Sequence, residues 1–208
     1  MFADDTSLLY TGKHIDELVE KINSELTKID DWLRCNKLSI NVNKTHYLVF
    51  CSKSTKVNDL IIKLNHHPIS RVYSTKFLGV YLDANLSWKN HIEYISKKIA
   101  KSIGIICKAR KILNKSTIIS LYYTFVYPYY IYGIHVWGST YPTSLKPIVL
   151  SQKKIIRIIT CSKYMASTQI LYERYKILQT EDVYKYSIAF LCINIKMTSC
   201  HIFMTTFI

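Results

Sequence analysis

The chain changes character at residues 76–83, Lys76-Phe77-Leu78-Gly79-Val80-Tyr81-Leu82-Asp83. The apolar residues between Lys76 and Asp83, which include two aromatic residues and one valine, predict a strand over residues 76–82. Before it, shorter apolar runs predict strands at 46–52, 60–65 and 69–73, with a turn at 65–68. After it, apolar residues recur at helical spacing, which predicts helices at about 88–113, 116–127, 144–160, 167–175 and 181–197. The fold class that this order predicts is α+β.

One helix is predicted in the first half, over residues 14–34. Apolar side chains recur there every three or four positions, and charged side chains occupy the other side. The apolar stripe comprises Ile15, Leu18, Val19, Ile22, Leu26, Ile29 and Leu33. We therefore expect residues 1–83 to form a small antiparallel sheet with this helix packed across it. Residues 84–208 are expected to form a second, all-helical domain.

Positive charge is concentrated in the second half of the chain. The 208 residues carry a net charge of +14, yet residues 1–83 hold 11 Lys/Arg against 10 Asp/Glu, a net charge of +1. Residues 84–208 hold 17 against 4, a net charge of +13. Such a surface attracts the phosphates of nucleic acid. The candidate nucleic-acid-binding residues are Lys97, Lys98, Lys101, Lys108, Arg110, Lys111, Lys153, Lys154 and Arg157. A solvated helix face without a ligand is the open alternative.

Two adjacent carboxylates follow an aromatic and a small residue near the start, in Phe2-Ala3-Asp4-Asp5. Phosphoryl transfer commonly uses two divalent cations about 3.5–4 Å apart. Hard cations such as Mg²⁺ prefer carboxylate oxygens as ligands. Adjacent aspartates also cap helices or occupy turns, so the pair alone does not decide between these roles.

Four blocks of the sequence occur in the order found in the reverse transcriptases of non-LTR (LINE-type, jockey/CR1-like) retrotransposons. Phe2-Ala3-Asp4-Asp5 resembles the F/Y-A-D-D box of that family, and residues 32–45 resemble its W-x-x-x-N-x-L-x-x-N-x-x-K-T segment. Residues 76–80 resemble its K-F/Y-L-G-V segment, and Tyr132-Gly133-Ile134-His135-Val136-Trp137-Gly138 completes the likeness. The resemblance implies the end of a polymerase palm in residues 1–83 and a helical thumb in residues 84–208.

The resemblance also implies a site and its ligands. Asp4 and Asp5 match the catalytic carboxylates that bind Mg²⁺ in an RNA-directed DNA polymerase, a nucleotidyltransferase. Lys44 lies in the segment that carries a lysine near the leaving pyrophosphate, although a surface lysine in a turn is the open alternative. The implied partners are an RNA template and a DNA primer, and no obligate protein partner can be inferred.

The same likeness sets an expectation about activity. In the family, the fingers and most of the palm precede the F/Y-A-D-D box, and they include a third aspartate that binds the metal ions. Met1 directly precedes Phe2 in this sequence. We therefore expect the chain to lack that aspartate and to show no primer extension.

Two other features bear on the class of protein. Six cysteines are scattered without a C-x-x-C pair, which predicts free thiols in a reducing compartment, the nucleus or the cytoplasm. Residues 117–137 contain no Asp, Glu, Lys or Arg and are long enough to span a bilayer. Pro128 and Gly133 interrupt this stretch, so a buried thumb helix is favoured over a membrane anchor. The competing function is a non-catalytic basic module that binds nucleic acid.

Overall fold

The computed structural model describes residues 6–52, 54–55, 57–65 and 67–198. The described residues fall into two compact units. The first comprises the residues up to Lys76 together with Asp83–Leu86, and the second comprises Phe77–Leu82 and the residues from Ser87 onward. The chain is a mixture of helices and small sheets, so the α+β class is confirmed.

The first unit is built on one helix. Helix α1 (Ile15–Cys35) confirms the helix predicted from the apolar stripe. Leu26 is the one buried residue of α1; it packs with Ile62, Leu64 and Ile69 in a small core. Half-buried side chains surround that core, namely Ile22, Ile29, Ile40, Tyr47 and Leu60. At the start of the stripe, Ile15 is 44% exposed, so α1 buries only the middle of its apolar face.

The strands are short and pair two by two. They are β1 (His46–Tyr47), β2 (Lys63–Leu64), β3 (His67–Pro68), β4 (Ser70–Arg71), β5 (Ser74–Phe77) and β6 (Val80–Asp83). In the described residues β1 pairs in parallel with β4, β2 pairs antiparallel with β3, and β5 pairs with β6. The prediction of one small antiparallel sheet is therefore wrong.

Side chains explain why the predicted strand at 60–65 shortens to two residues. The Asn23 amide donates to the carbonyl of Ile61 at 3.1 Å and accepts the N–H of Lys63 at 2.9 Å. The Tyr47 hydroxyl donates to the carbonyl of Leu60 at 3.0 Å and accepts its N–H at 2.8 Å. These side chains thus bond to backbone N–H and C=O groups of residues 60, 61 and 63 that would otherwise pair with a neighbouring strand.

The second unit contains seven helices among its described residues. They are α2 (Lys89–Ala109), α3 (Lys115–Phe125), α4 (Tyr127–Ile131), α5 (Ile134–Trp137), α6 (Pro142–Ile159), α7 (Thr168–Tyr175) and α8 (Thr180–Thr198). The five predicted helices are confirmed, and α4 and α5 are additional. The core is formed mainly by isoleucines of α2 and α6 with aromatic side chains of α3, α4 and α5: Ile95, Ile99, Ile106, Ile148, Ile155, Ile156, Ile159, Tyr122, Tyr130 and Trp137.

The uncharged stretch 117–137 folds as three short helices rather than one long one. Pro128 lies in the first turn of α4, where a missing N–H costs nothing. Gly133 adopts a φ of +63° between α4 and α5, a conformation that favours glycine. Within the described part of the chain, no helix is both long enough and apolar enough to cross a membrane.

Residues 76–82 form a hairpin turn and not the single strand that was predicted. Leu78 and Gly79 separate β5 from β6 and have φ values of +45° and +83°. Two consecutive positive φ angles are typical of the tight turns of β-hairpins. The Tyr132 hydroxyl donates a hydrogen bond to the carbonyl oxygen of Leu78. Gly79 is the local signal for a turn, but leucine is not a usual residue at a positive φ, so the position of the turn also depends on the distant Tyr132.

Gly79→Ala is expected to lower the free energy of unfolding by about 1–3 kcal/mol. An alanine would hold a positive φ, and its Cβ would lie 3.1 Å from Cε1 of Tyr132. Urea denaturation followed by circular dichroism measures the change. The control is Gly104→Ala within α2, where an added Cβ meets nothing within 4 Å. That variant is expected to gain about 1 kcal/mol, and equal effects of the two variants would contradict the turn argument.

Candidate nucleic-acid interface

Helix α2 has one buried face and one basic face. Its buried side chains are His91, Ile92, Ile95, Ile99, Ser102, Ile103 and Ile106. Lys97, Lys101 and Lys108 are exposed, and their spacing of four and seven residues places them together on the opposite side of the helix. The apolar stripe thus fixes the orientation of the lysines, which point away from the core.

The lysines near the start of α2 have local partners. The Lys97 ammonium lies 2.6 Å from a carboxylate oxygen of Glu93, one helical turn earlier. That hydrogen bond and the positive charge of Lys97 lower the pKa of the Glu93 carboxyl. The Lys98 ammonium lies 5.6 Å from the ring centroid of Tyr94. Part of the positive charge at this end of the helix is therefore already matched.

The lysines further along α2 are different. Lys101 and Lys108 are exposed, and neither forms a salt bridge with any carboxylate of the described residues. The same holds for Lys111, just after the helix. Of the lysines predicted on α2, these three present the most positive charge to an incoming anion.

The carboxyl ends of α2 and α6 lie side by side. A guanidinium nitrogen of Arg110, the residue that follows α2, lies 3.5 Å from the carbonyl oxygen of Ile158 in the last turn of α6. The last carbonyls of a helix carry partial negative charge, which a nearby cation stabilises. Arg110 therefore has a structural contact in addition to any contact with a ligand.

Arg157 of α6 is held by the protein itself. It is half-buried, its Nε donates to the carbonyl of Ala166 at 3.0 Å, and Nη1 donates to the carbonyl of Lys153 at 3.4 Å. The bond to Ala166 anchors the loop that follows α6, and the bond to Lys153 lies within the helix. Lys154 is exposed and Lys153 is half-buried, so Lys154 is the more accessible cation of the three. Their role in binding stays a prediction.

His91 was not among the predicted site residues, yet it is the most enclosed ionisable group of α2. It is 1% exposed, its Nδ1 accepts the N–H of Tyr81 at 3.4 Å, and its ring lies 5.7 Å from that of Trp137. Burial lowers the pKa of His91, which favours the neutral ring. The sequence does indicate that His91 is buried, because it lies four residues before Ile95 and therefore on the apolar stripe. That position indicates a packing role and not a catalytic one.

Catalytic roles are predicted for Asp4, Asp5 and Lys44, and of these three the structure describes Lys44. Asp4 and Asp5 lie outside the described residues. Lys44 is exposed in a turn, where its N–H donates to the carbonyl of Asn41 at 3.0 Å. No group of three or more His, Cys, Asp or Glu among the described residues is arranged to hold a metal ion. Cys35, Cys51, Cys107, Cys161 and Cys192 are free thiols, as predicted.

Comparison with known proteins identifies relatives of one kind. The chain is 25% identical over 185 residues to the probable RNA-directed DNA polymerase from transposon X-element of Drosophila melanogaster, a match that covers 87% of the chain. It is 26% identical over 176 residues, 81% of the chain, to the corresponding protein of transposon BS. It is 24% identical over 185 residues, 87% of the chain, to the RNA-directed DNA polymerase from mobile element jockey. The last two also come from Drosophila melanogaster.

The matches cover only part of each relative. The chain spans 20%, 19% and 20% of the length of these three proteins, respectively. No protein-family model matches the chain, and no solved structure matches it significantly. The resemblance drawn from the four sequence blocks is nevertheless confirmed: over most of its length, the chain is similar to the RNA-directed DNA polymerases of non-LTR retrotransposons.

Proposed function

We propose that this chain is the part of a non-LTR retrotransposon RNA-directed DNA polymerase that holds the RNA template and DNA primer. Its second unit acts as the thumb, and its first unit contributes the end of the palm. The observation that carries the proposal is the basic face of α2, which lies opposite the buried stripe of the same helix. The sequence relationship supports the kind of ligand, since the relatives are RNA-directed DNA polymerases by name.

The physical basis of binding is the exchange of counterions for lysines. A nucleic acid carries a condensed layer of cations, and each phosphate that the protein neutralises releases part of it. Lys101, Lys108 and Lys111 are suited to this role because they form no salt bridge with the described carboxylates. A lysine that is paired with a carboxylate would have to break that salt bridge before it could bind a phosphate, and these three lysines do not have to. The predicted contacts at Lys153, Lys154 and Arg157 extend the proposal to α6.

The proposal extends to the chemistry of the complete polymerase. Asp4 and Asp5 offer the hard oxygen ligands that Mg²⁺ prefers, and they would hold it in the intact enzyme. Bound there, the metal would supply positive charge beside the phosphates during nucleotidyl transfer. Lys44 would add a further cation near the leaving pyrophosphate.

Binding of the full chain to a short RNA–DNA hybrid tests the proposal. Fluorescence anisotropy with a labelled duplex of about 20 base pairs, repeated across salt concentrations, gives the dependence of affinity on salt. We expect log affinity to fall linearly with log salt, at a slope of about −3 to −6 if some four to six phosphates are contacted. A hybrid of equal length with an uncharged methylphosphonate backbone is the control. Equal affinity for both duplexes, or no binding at low salt, would exclude this function.

A further inference from the structure

Helix α2 contains a glycine that neither its backbone nor its packing requires. Gly104 lies in the interior of the helix and is exposed, and its φ is not among the positive values of the chain. A Cβ added there would meet nothing within 4 Å. Glycine is nonetheless among the least favourable residues in a helix interior. Each of the other four glycines would place an added Cβ within 3.4 Å of a neighbouring atom. Gly104 therefore lacks an explanation within the fold.

The surroundings of Gly104 are positively charged. Lys101 precedes it by three residues and Lys108 follows it by four, so both flank it on the exposed side of the helix. Lys97 lies two turns earlier on the same side. The carboxylate of α2, Glu93, lies eleven positions before Gly104 and pairs with Lys97. The glycine thus forms a shallow gap in a row of lysines.

We propose that this gap is where the sugar–phosphate backbone of a bound nucleic acid lies directly against α2. Lys101 and Lys108 would contact phosphates on either side, and the missing side chain of Gly104 would let the nucleic-acid strand approach the helix between them. The assignment rests on the proposed function and names the point of closest contact within it.

The dimensions of the helix suit this arrangement. Lys101 and Lys108 are seven residues apart, which corresponds to about 10 Å along a helix. Successive nucleotides of one strand advance by about 3.4 Å along the duplex axis. A helix that lies along the duplex axis would therefore place the two lysines about three nucleotide steps apart on a single strand. Their flexible side chains can adjust to phosphates at that spacing, whereas a rigid side chain at position 104 would stand between the helix and the strand.

Substitutions at position 104 test the assignment because they distinguish the effects of helix stability, of added positive charge and of side-chain size on binding. Gly104→Ala is expected to raise the Tm by about 2–4 °C, since alanine favours the helix, and to weaken binding of the RNA–DNA hybrid. Gly104→Leu is expected to weaken binding of the hybrid by about tenfold. The loss of one or two phosphate contacts should also make the salt slope shallower by about one to two units. Gly104→Lys adds a positive charge, yet we expect it also to weaken binding.

The control is Ala189→Leu, which enlarges an exposed residue of α8. It is expected to leave affinity unchanged. The assignment would be overturned if Gly104→Leu left the affinity unaltered or if Gly104→Lys raised it. This face of α2 would then be in contact with solvent or with a protein segment. In that case the unsubstituted chain would still bind the hybrid with its full salt dependence, so the proposed function would stand. Absence of salt-dependent binding in the unsubstituted chain would overturn both.

Discussion

Replacing Trp137 with alanine is expected to lower the free energy of unfolding by about 3–5 kcal/mol. Trp137 is completely buried, and its indole N–H donates to the carbonyl of Tyr132 at 2.9 Å. The ring also packs against His91, at 5.7 Å between ring centroids. Removal would leave a cavity in the core and a backbone carbonyl without its donor. Urea denaturation monitored by far-ultraviolet circular dichroism measures the loss, because this signal reports mainly on the helical backbone.

The matched control is Trp32→Ala. Trp32 is 54% exposed on α1, so its removal creates no enclosed cavity. We expect a loss of less than about 1 kcal/mol. Comparable losses in the two variants would contradict the position of Trp137 at the centre of the second core.

The long helices could be predicted from the sequence because their apolar residues repeat at helical spacing. In α2, Ile92, Ile95, Ile99, Ile103 and Ile106 form one stripe, and all of them are buried. The short helices α4 and α5 could not be predicted in this way. They lie in a stretch without charged residues, so the contrast between a polar and an apolar face is missing.

The strands were harder to predict because their partners depend on tertiary contacts. Apolar residues at 60–65 are consistent with a strand, but Asn23 and Tyr47 bond to the backbone of residues 60–63. Those residues lie 13 to 40 positions away, beyond the reach of any local pattern. The turn at Leu78-Gly79 depends in the same way on Tyr132, which lies 54 residues further along.

The candidate interface was partly visible in the sequence. Helical spacing alone predicts that Lys97, Lys101 and Lys108 share one face, since all three lie off the apolar stripe. The state of each cation was not predictable. Arg157 looks like its neighbours in the sequence, yet backbone carbonyls of Ala166 and Lys153 already occupy its guanidinium. Whether a charge is free for a ligand depends on such contacts, which no count of lysines contains.

Reversing three charges of the basic face is expected to weaken nucleic-acid binding more than any other change of three residues. In the triple variant Lys101→Glu, Lys108→Glu and Lys111→Glu, three proposed phosphate contacts are lost and three carboxylates repel the phosphates. We expect affinity for the RNA–DNA hybrid to fall by about 100-fold or more at moderate salt. The salt slope should become shallower by about three units. Anisotropy titrations at several salt concentrations measure both quantities.

The control must change the net charge equally at a different place. Lys13→Glu, Lys21→Glu and Lys28→Glu reverse three exposed lysines of the first unit. They lower the net charge by the same six units, so any effect of overall charge is the same in both variants.

We expect the control to bind within about tenfold of the unsubstituted chain with its salt slope retained, because none of these three lysines belongs to the proposed phosphate contacts. Equal losses in the two variants would mean that total charge governs binding and that α2 has no special part in it. A loss confined to the α2 variant, with an unchanged Tm, places the contact on this helix, since exposed substitutions contribute little to stability.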